Sequence, residues 1–100
     1  MTRSKNYLKH IRSLPCLRCQ TYGTDSNPIE ACHESLGDGV VSGKPSDIQT
    51  YPLHAKCHRE EHHVGKLTFW GGLNGVELKS FLAYHMLRYL DSFISDGGKF

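Results

Sequence analysis

Residues 54–62 read HAKCHREEH and place three histidines and one cysteine within nine positions. His54 and Cys57 are separated by two residues, and the same spacing separates Cys16 from Cys19 earlier in the chain. Two ligands at this spacing converge readily on one tetrahedral zinc ion, and two such pairs complete its coordination shell. The pattern therefore predicts a structural Cys3His zinc site whose ligands are Cys16, Cys19, His54 and Cys57.

The cysteine pair has two other possible uses, a disulfide and a redox centre. The chain has four cysteines and no N-terminal apolar run typical of an export signal, which favours thiolate ligation over disulfides. A redox C-x-x-C motif is typical of a thioredoxin-like βαβ segment, and no such pattern surrounds Cys16 and Cys19. Metal ligation is therefore the favoured interpretation, and a redox protein is the least favoured.

Length and composition indicate one small globular domain. The chain has 100 residues, of which 38% are hydrophobic and 22% are charged, so neither a disordered nor a fibrous protein is expected. A core of this size is small, and a bound metal would add to its stability. No apolar stretch approaches the roughly 18 residues that a membrane-spanning helix needs. These features predict a soluble, cytoplasmic protein with no membrane partner.

Basic residues are concentrated near the N-terminus. The formal net charge is only +2, yet residues 1–20 hold five of the twelve Lys and Arg residues and none of the Asp and Glu. Such an arm is suited to contact the phosphates of a nucleic acid, although a solvated helix face has the same composition. Lys44 lies in a predicted glycine-rich loop that is placed to follow a DNA groove. The candidate nucleic-acid contacts are Lys5, Lys9, Arg12, Arg18 and Lys44.

Hydrophobic periodicity, capping residues and helix breakers predict a chain that mixes helices and strands. The predicted elements are a helix over 4–13, strands over 29–33 and 46–51, a loop over 36–45, a helix from Pro52 to Val64, an aromatic turn over 69–72 beside the core and an amphipathic helix over 74–96. Asn74 and Glu77 have the spacing of a capping box, which makes the last helix the clearest element. This helix is expected to cover the core or to form the seam of a homodimer.

His58 and His62 are four residues apart on the helix predicted from Pro52. On a helix this spacing brings two side chains to one face with Cβ atoms about 6 Å apart, a reach suited to holding one metal ion between them. The alternative is a pair of surface histidines without a metal. Because the zinc ligands lie next to the pair, a second metal site is the favoured interpretation.

Together these segments resemble the HNH, or ββα-metal, endonuclease family in its zinc-stabilised treble-clef form. The match covers about residues 14–72, and its segments are PCLRC at 15–19, EACH at 30–33, KPSD at 44–47, PLHAKCHREEH at 52–62 and GKLTFW at 65–70. The KPSD and GKLTFW segments are most similar to small phage and prophage recombination nucleases of this class. The resemblance implies a single α+β HNH nuclease domain over 1–100. Its parts are a basic N-terminal helix over 1–14, a small zinc-bound treble-clef ββα-metal core over 15–72 and a long C-terminal helix over 74–96.

The resemblance also implies roles for individual residues. His33 is expected to be the general base that activates water, and Asp47 stands near the place of the residue, usually Asn, that orients this base. His58 and His62 are expected to hold the catalytic divalent ion, for which Mg²⁺, Mn²⁺, Ni²⁺ and Zn²⁺ are candidates. The family usually has a further metal ligand, His or Asp, immediately before the base, and this chain has Cys32 there instead. Cys32 is either a small buried side chain, which is favoured, or a third ligand.

The function that the resemblance implies is a metal-dependent DNA endonuclease with low sequence specificity, acting in phage DNA recombination or processing. Its expected partners are DNA, a recombination protein and a second copy bound through the C-terminal helix, and its place is the bacterial host cell if a phage encodes it. The alternative is a non-catalytic zinc module that binds nucleic acid or protein. Cys32 before the base and the modest net charge favour this alternative.

Overall fold

The fold was described from a computed structural model, which covers residues 2–35 and 45–100. Helices and a two-stranded antiparallel sheet follow one another along these residues. The elements are α1 (Lys5–Arg12), β1 (Ile29–His33), β2 (Thr50–His54), α2 (Ala55–Val64), α3 (Lys66–Phe69) and α4 (Gly75–Ser95). The small α+β class predicted from the sequence is therefore confirmed.

The helix predicted over 4–13 is confirmed as α1. Ser4 caps its N-terminus, because the Ser4 hydroxyl accepts a hydrogen bond of 3.0 Å from the backbone N–H of Tyr7. Tyr7 and Ile11 lie one turn apart and are completely buried. Basic side chains occupy the opposite side of the helix and are exposed. The amphipathic pattern thus fixes which face of α1 remains available to solvent.

The hairpin of β1 and β2 differs from the prediction at its second strand. The sequence predicted a strand over 46–51 and a helix beginning at Pro52, but β2 runs from Thr50 to His54 and pairs Pro52 with Ala31 of β1. Every residue of β2 is buried, and the Pro52 carbonyl accepts a hydrogen bond of 2.8 Å from the Leu17 N–H. Burial and these long-range contacts outweigh the local preference of proline for the first turn of a helix.

The hydrophobic core lies between the hairpin and α4. Asn74 and Glu77 form the predicted capping box at the start of α4. Side chains from one face of α4 then pack against the hairpin residues, which confirms that this helix covers the core. The main cluster includes Tyr51 and Leu53 from β2 and Leu78, Leu82 and Met86 from α4.

The aromatic turn predicted over 69–72 begins one residue later. Phe69 ends the short helix α3, and the turn follows at 70–72. Phe69 is a buried member of the main core cluster rather than part of a separate one beside it. Its burial follows from the place of α3, which packs directly against α2.

The predicted loop over 36–45 falls almost entirely on residues 36–44, which lie outside the described residues. Lys44, as a candidate DNA contact, lies outside them as well. Among the helices that the structure describes, none combines the length and the apolar character needed to cross a bilayer.

Candidate metal and catalytic sites

The four predicted zinc ligands converge. The ligand atoms of Cys16, Cys19, His54 and Cys57 all lie within 4.8 Å of one another. His54 is the last residue of β2 and Cys57 lies in the first turn of α2, so the strand-to-helix junction supplies half of the cluster. All four cysteines of the chain are free of disulfides. The cluster is therefore able to bind one zinc ion in the arrangement that the spacing predicted.

The backbone around Cys16 holds the first cysteine pair against the sheet. The Cys16 N–H donates to the Thr21 carbonyl at 2.9 Å, and the Cys16 carbonyl accepts from the Gln20 N–H at 2.8 Å. Gln20 has a φ of 63°, a left-handed conformation that closes this tight turn. The hydrogen bond between Leu17 and Pro52 then ties the turn to β2.

The hydrogen bonds of His54 select the tautomer that zinc requires. Its Nε2 lies 3.0 Å from the carbonyl oxygen of Tyr22, which can only accept a hydrogen bond, so Nε2 carries the proton. Its Nδ1 is then unprotonated and lies 3.1 Å from the sulfur of Cys19. A partner on the far nitrogen of this kind is typical of histidines that bind metals.

The thiols of the cluster influence one another. Hydrogen bonding by the Thr21 hydroxyl lowers the pKa of Cys19 to about 7, whereas burial and then the charge of Cys16 raise the pKa of Cys57 to about 12. Without a cation, neighbouring thiolates repel each other, and only part of the set ionises near neutral pH. A zinc ion reverses this balance because three thiolates then share its charge, with release of protons on binding.

A second cluster lies on α2. The Nε2 atoms of His58 and His62 face each other at 3.1 Å, as expected for the i, i+4 spacing. The Nδ1 of His58 lies 2.9 Å from a carboxylate oxygen of Glu30 on β1. Glu61 belongs to the same cluster, because its carboxylate and the two imidazoles have ligand atoms within 4.8 Å of one another.

Sequence reasoning missed both carboxylates of this second cluster. Glu61 stands three residues after His58 and one before His62, so H-x-x-E-H at 58–62 was a usable signal for it. Glu30 had no such signal, because its contact with His58 depends on how α2 packs against the hairpin.

Glu61 is almost inaccessible to solvent, and its carboxylate accepts two hydrogen bonds. The residue is 1% exposed. The Tyr51 hydroxyl and the Trp70 indole N–H each donate to its Oε2 at 2.8 Å. Burial and the nearby Glu61 charge both raise the pKa of Tyr51, so Tyr51 stays protonated and acts as a donor.

His33 and Asp47 are in contact, as a base and the group that orients it would be. The Nε2 of His33 lies 2.8 Å from Oδ1 of Asp47. The other oxygen of Asp47 accepts a hydrogen bond of 2.7 Å from the backbone N–H of Ser4, and Arg3 also donates to Oδ1 at 3.2 Å. The pair therefore lies where β1 meets the start of α1.

Cys32 is 2% exposed and belongs to the main core cluster. Burial raises the pKa of the Cys32 thiol well above its usual range, so the side chain is a neutral thiol. Within the described residues it belongs to neither ligand cluster. These observations support the interpretation of Cys32 as a small buried side chain.

The predicted DNA contacts are exposed where the structure describes them. Lys5, Lys9 and Arg12 are spaced i, i+4, i+7 on α1 and therefore share one face of the helix, which we call the α1 basic face. Arg18 is exposed as well and lies over the ring of Phe69, 5.2 Å from its centroid. The predicted homodimer stays a prediction, and the large apolar side chains that α4 exposes are Val76, Tyr84, Leu87 and Ile94.

No family model, curated protein or solved structure matches this chain. The HNH resemblance thus rests on the sequence segments at 15–19, 30–33, 44–47, 52–62 and 65–70 alone.

Proposed function

We propose that this chain is a metal-dependent DNA endonuclease of the HNH type, with a zinc-bound treble-clef core. It cleaves phosphodiester bonds with little sequence specificity and serves phage DNA recombination or processing, with DNA and a recombination protein as partners. The observation that supports this proposal most is the contact between His33 and Asp47. His33 is held by a buried carboxylate, and Glu30 of the same strand contacts His58. A histidine oriented in this way is suited to act as a general base toward water.

The hydrogen bonds of His33 leave its second ring nitrogen available for the reaction. An ionised carboxylate only accepts hydrogen bonds, so the Nε2 of His33 donates to Asp47, and in the neutral imidazole Nδ1 is then the nitrogen that can accept a proton. Nδ1 then removes a proton from the attacking water. Asp47 orients the neutral imidazole before this step and stabilises the positive charge of the imidazolium that forms.

The imidazole pair supplies the second requirement of the reaction. His58 and His62 would hold the catalytic divalent ion, which, when bound, neutralises the negative charge that develops on the phosphate. Glu30 fixes the ring of His58 by accepting from its Nδ1. The Cys3His cluster would hold an ion with four protein ligands and leave no position for substrate, which supports a structural role.

A plasmid nicking assay tests the proposal. Wild type and His33→Ala are compared on supercoiled DNA with Mn²⁺ or Mg²⁺, and His63→Ala serves as the matched control because His63 is an exposed histidine of α2. We expect His33→Ala to lose about 10²- to 10⁴-fold in nicking rate, the usual contribution of a general base, with an unchanged zinc content and a melting temperature lowered only by the loss of the hydrogen bond to Asp47. Nicking by His33→Ala at the rate of wild type would contradict the proposed role of His33.

The burial of Cys32 favours the alternative, a zinc module that binds nucleic acid or protein without cutting. The family resemblance places a metal ligand at this position, and here the side chain lies in the core. Absence of nicking by zinc-loaded wild type with either ion, in a preparation that still binds DNA, would favour this alternative over the nuclease.

A further inference from the structure

We propose that Glu61 is the third protein ligand of the ion held by His58 and His62, so that α2 alone presents a two-imidazole, one-carboxylate site for a first-row divalent cation such as Mn²⁺. This inference rests on the proposed nuclease site and names a ligand that the family resemblance does not supply. The carboxylate would supply the further protein ligand that the resemblance leads us to expect at position 32, where Cys32 lies in the core instead.

Burial of the Glu61 carboxylate costs free energy of hydration that must be compensated. A carboxylate that is 1% exposed needs a cation or a dense set of hydrogen bonds to compensate for its lost hydration. Within residues 2–35 and 45–100, Glu61 forms no ion pair, and its two donors are neutral groups that both bind Oε2. A metal ion beside the carboxylate would supply the missing positive charge.

Neighbouring side chains orient the proposed metal ligands. Tyr51 and Trp70 hold Oε2 of Glu61, which leaves Oε1 to meet an ion. Glu30 holds Nδ1 of His58 and turns its Nε2 toward Nε2 of His62. Two of the three potential ligands, Glu61 and His58, thus have their remaining polar atom held by a neighbour, as ligands in metal sites usually do.

The separation of the Nε2 atoms of His58 and His62 matches that of two ligands on one ion. Nitrogens that each lie about 2.1 Å from one ion, at angles between a right angle and the tetrahedral angle, are about 3.0 to 3.4 Å apart. The two Nε2 atoms are 3.1 Å apart. The two nitrogens are therefore separated as two ligands of one ion would be.

The donor sets separate the two metals by chemistry. Three thiolates and one imidazole form a soft, closed set that suits zinc, whereas two imidazoles and one carboxylate form a harder set that suits Mn²⁺ and similar ions. Three ligands on one helix leave the outward positions of the ion open for water and phosphate. The closed Cys3His set is therefore expected to hold zinc, and the open set is expected to accept Mn²⁺ when that ion is supplied.

Substitution of two neighbouring glutamates tests the inference. Glu61→Gln removes the charge but keeps an acceptor for Tyr51 and Trp70, and Glu60→Gln makes the same change at an exposed position one residue away. Zinc-loaded protein is titrated with MnCl2, and binding is followed by the electron paramagnetic resonance of free Mn²⁺ and by quenching of Trp70, the single tryptophan of the chain. We expect Glu61→Gln to bind Mn²⁺ at least about tenfold more weakly than wild type and Glu60→Gln to bind it equally well. Wild-type affinity in a folded Glu61→Gln variant that keeps its zinc would overturn the inference.

A measurement on wild type keeps the inference testable if Glu61→Gln does not fold. Anomalous diffraction from crystals soaked in MnCl2 locates the ion directly, and we expect it about 2.2 Å from a carboxylate oxygen of Glu61. An ion bound elsewhere, for example on Glu30, would refute the proposed ligand. The outcome is independent of the nicking assay, since Mn²⁺ binding that depends on Glu61 in a protein without nuclease activity would reject the proposed function and retain this site.

Discussion

At the scale of single residues, Asp47 connects the proposed base to the start of α1. Its buried carboxylate accepts hydrogen bonds from His33, Arg3 and the Ser4 N–H. We expect Asp47→Asn to lower the free energy of unfolding by about 1–3 kcal/mol, because the amide cannot accept all of these bonds. Urea unfolding at pH 7 measures the change, and Asp96→Asn, at an exposed acid, should remain within about 0.5 kcal/mol of wild type. Equal effects of the two substitutions would contradict the assignment.

The same residue predicts how stability changes with pH. Burial by itself raises the pKa of Asp47, but hydrogen bonds from His33, Ser4 and Arg3 outweigh it and hold the pKa below the usual 3.8. A lowered pKa in the folded state means that the contribution of the carboxylate is complete above the unfolded pKa and is lost as the pH falls through the folded one. Thermal melts below pH 4 should therefore show a steeper loss of stability in wild type than in Asp47→Asn.

Sequence spacing identified the ligands that share a local pattern and missed those that depend on packing. Cys16, Cys19, His54 and Cys57 repeat one spacing, and this was enough to predict that they converge. Glu60 and Glu61 are chemically identical neighbours, and only the fold makes one exposed and the other buried between Tyr51 and Trp70. Burial of a charge is decided by tertiary structure, so the sequence could not show which of the two glutamates is buried.

At the scale of secondary-structure elements, the zinc cluster joins the turn at 16–19 to the junction of β2 and α2. We expect Cys57→Ala to lose the zinc and to unfold at a much lower temperature, because binding of a structural zinc contributes about 10 kcal/mol or more to the folding of small domains. Cys32→Ala is the matched control, since it removes a buried thiol outside the cluster and should cost about 1 kcal/mol. Metal analysis should find one zinc per chain in wild type and Cys32→Ala and none in Cys57→Ala. Retention of zinc by Cys57→Ala would exclude this ligand set.

The two helices with capping signals in the sequence, α1 and α4, were predicted correctly, whereas the boundaries of the second strand, β2, were not. Ser4 and Asn74 cap α1 and α4 through contacts within the first turn, and these contacts are visible in the sequence. The second strand was predicted too early because Pro52 is a good first residue of a helix, and only pairing with β1 keeps it extended. Strand boundaries depend on a partner that is distant in sequence, and this is why the local pattern was misleading.

At the scale of the whole molecule, α1 is fixed to the proposed catalytic hairpin. The Asp47 N–H donates to the Thr2 carbonyl at 2.9 Å, and the Asp47 side chain binds Ser4 at the N-cap. Since α1 also packs on both strands, its orientation relative to His33 is set by the same contacts that orient this proposed base. A phosphate backbone bound along the α1 basic face would therefore be held in a fixed relation to this hairpin.

If DNA binds along the α1 basic face, the salt dependence of its affinity can be predicted. Each lysine or arginine that neutralises a phosphate contributes about −0.9 to the slope of log affinity against log salt concentration, because bound cations are released from the duplex. We expect the triple substitution Lys5→Ala, Lys9→Ala, Arg12→Ala to weaken binding to unrelated duplex sequences alike and to reduce this slope by up to about 2.7. Fluorescence anisotropy over a salt series, with Ca²⁺ in place of the catalytic ion to prevent cleavage, measures both quantities.

Arg88→Ala is the control for this experiment, because it removes one positive charge from an exposed position on α4. The substitution should leave the salt slope unchanged if DNA follows α1 rather than the general charge of the protein. The three replaced side chains lie on the exposed side of α1, away from Tyr7 and Ile11, so the triple variant should keep the melting temperature of wild type. A triple variant with an unaltered slope would place the DNA on another surface. It would also remove the reason to connect the basic residues of α1 with the cleavage proposed for His33.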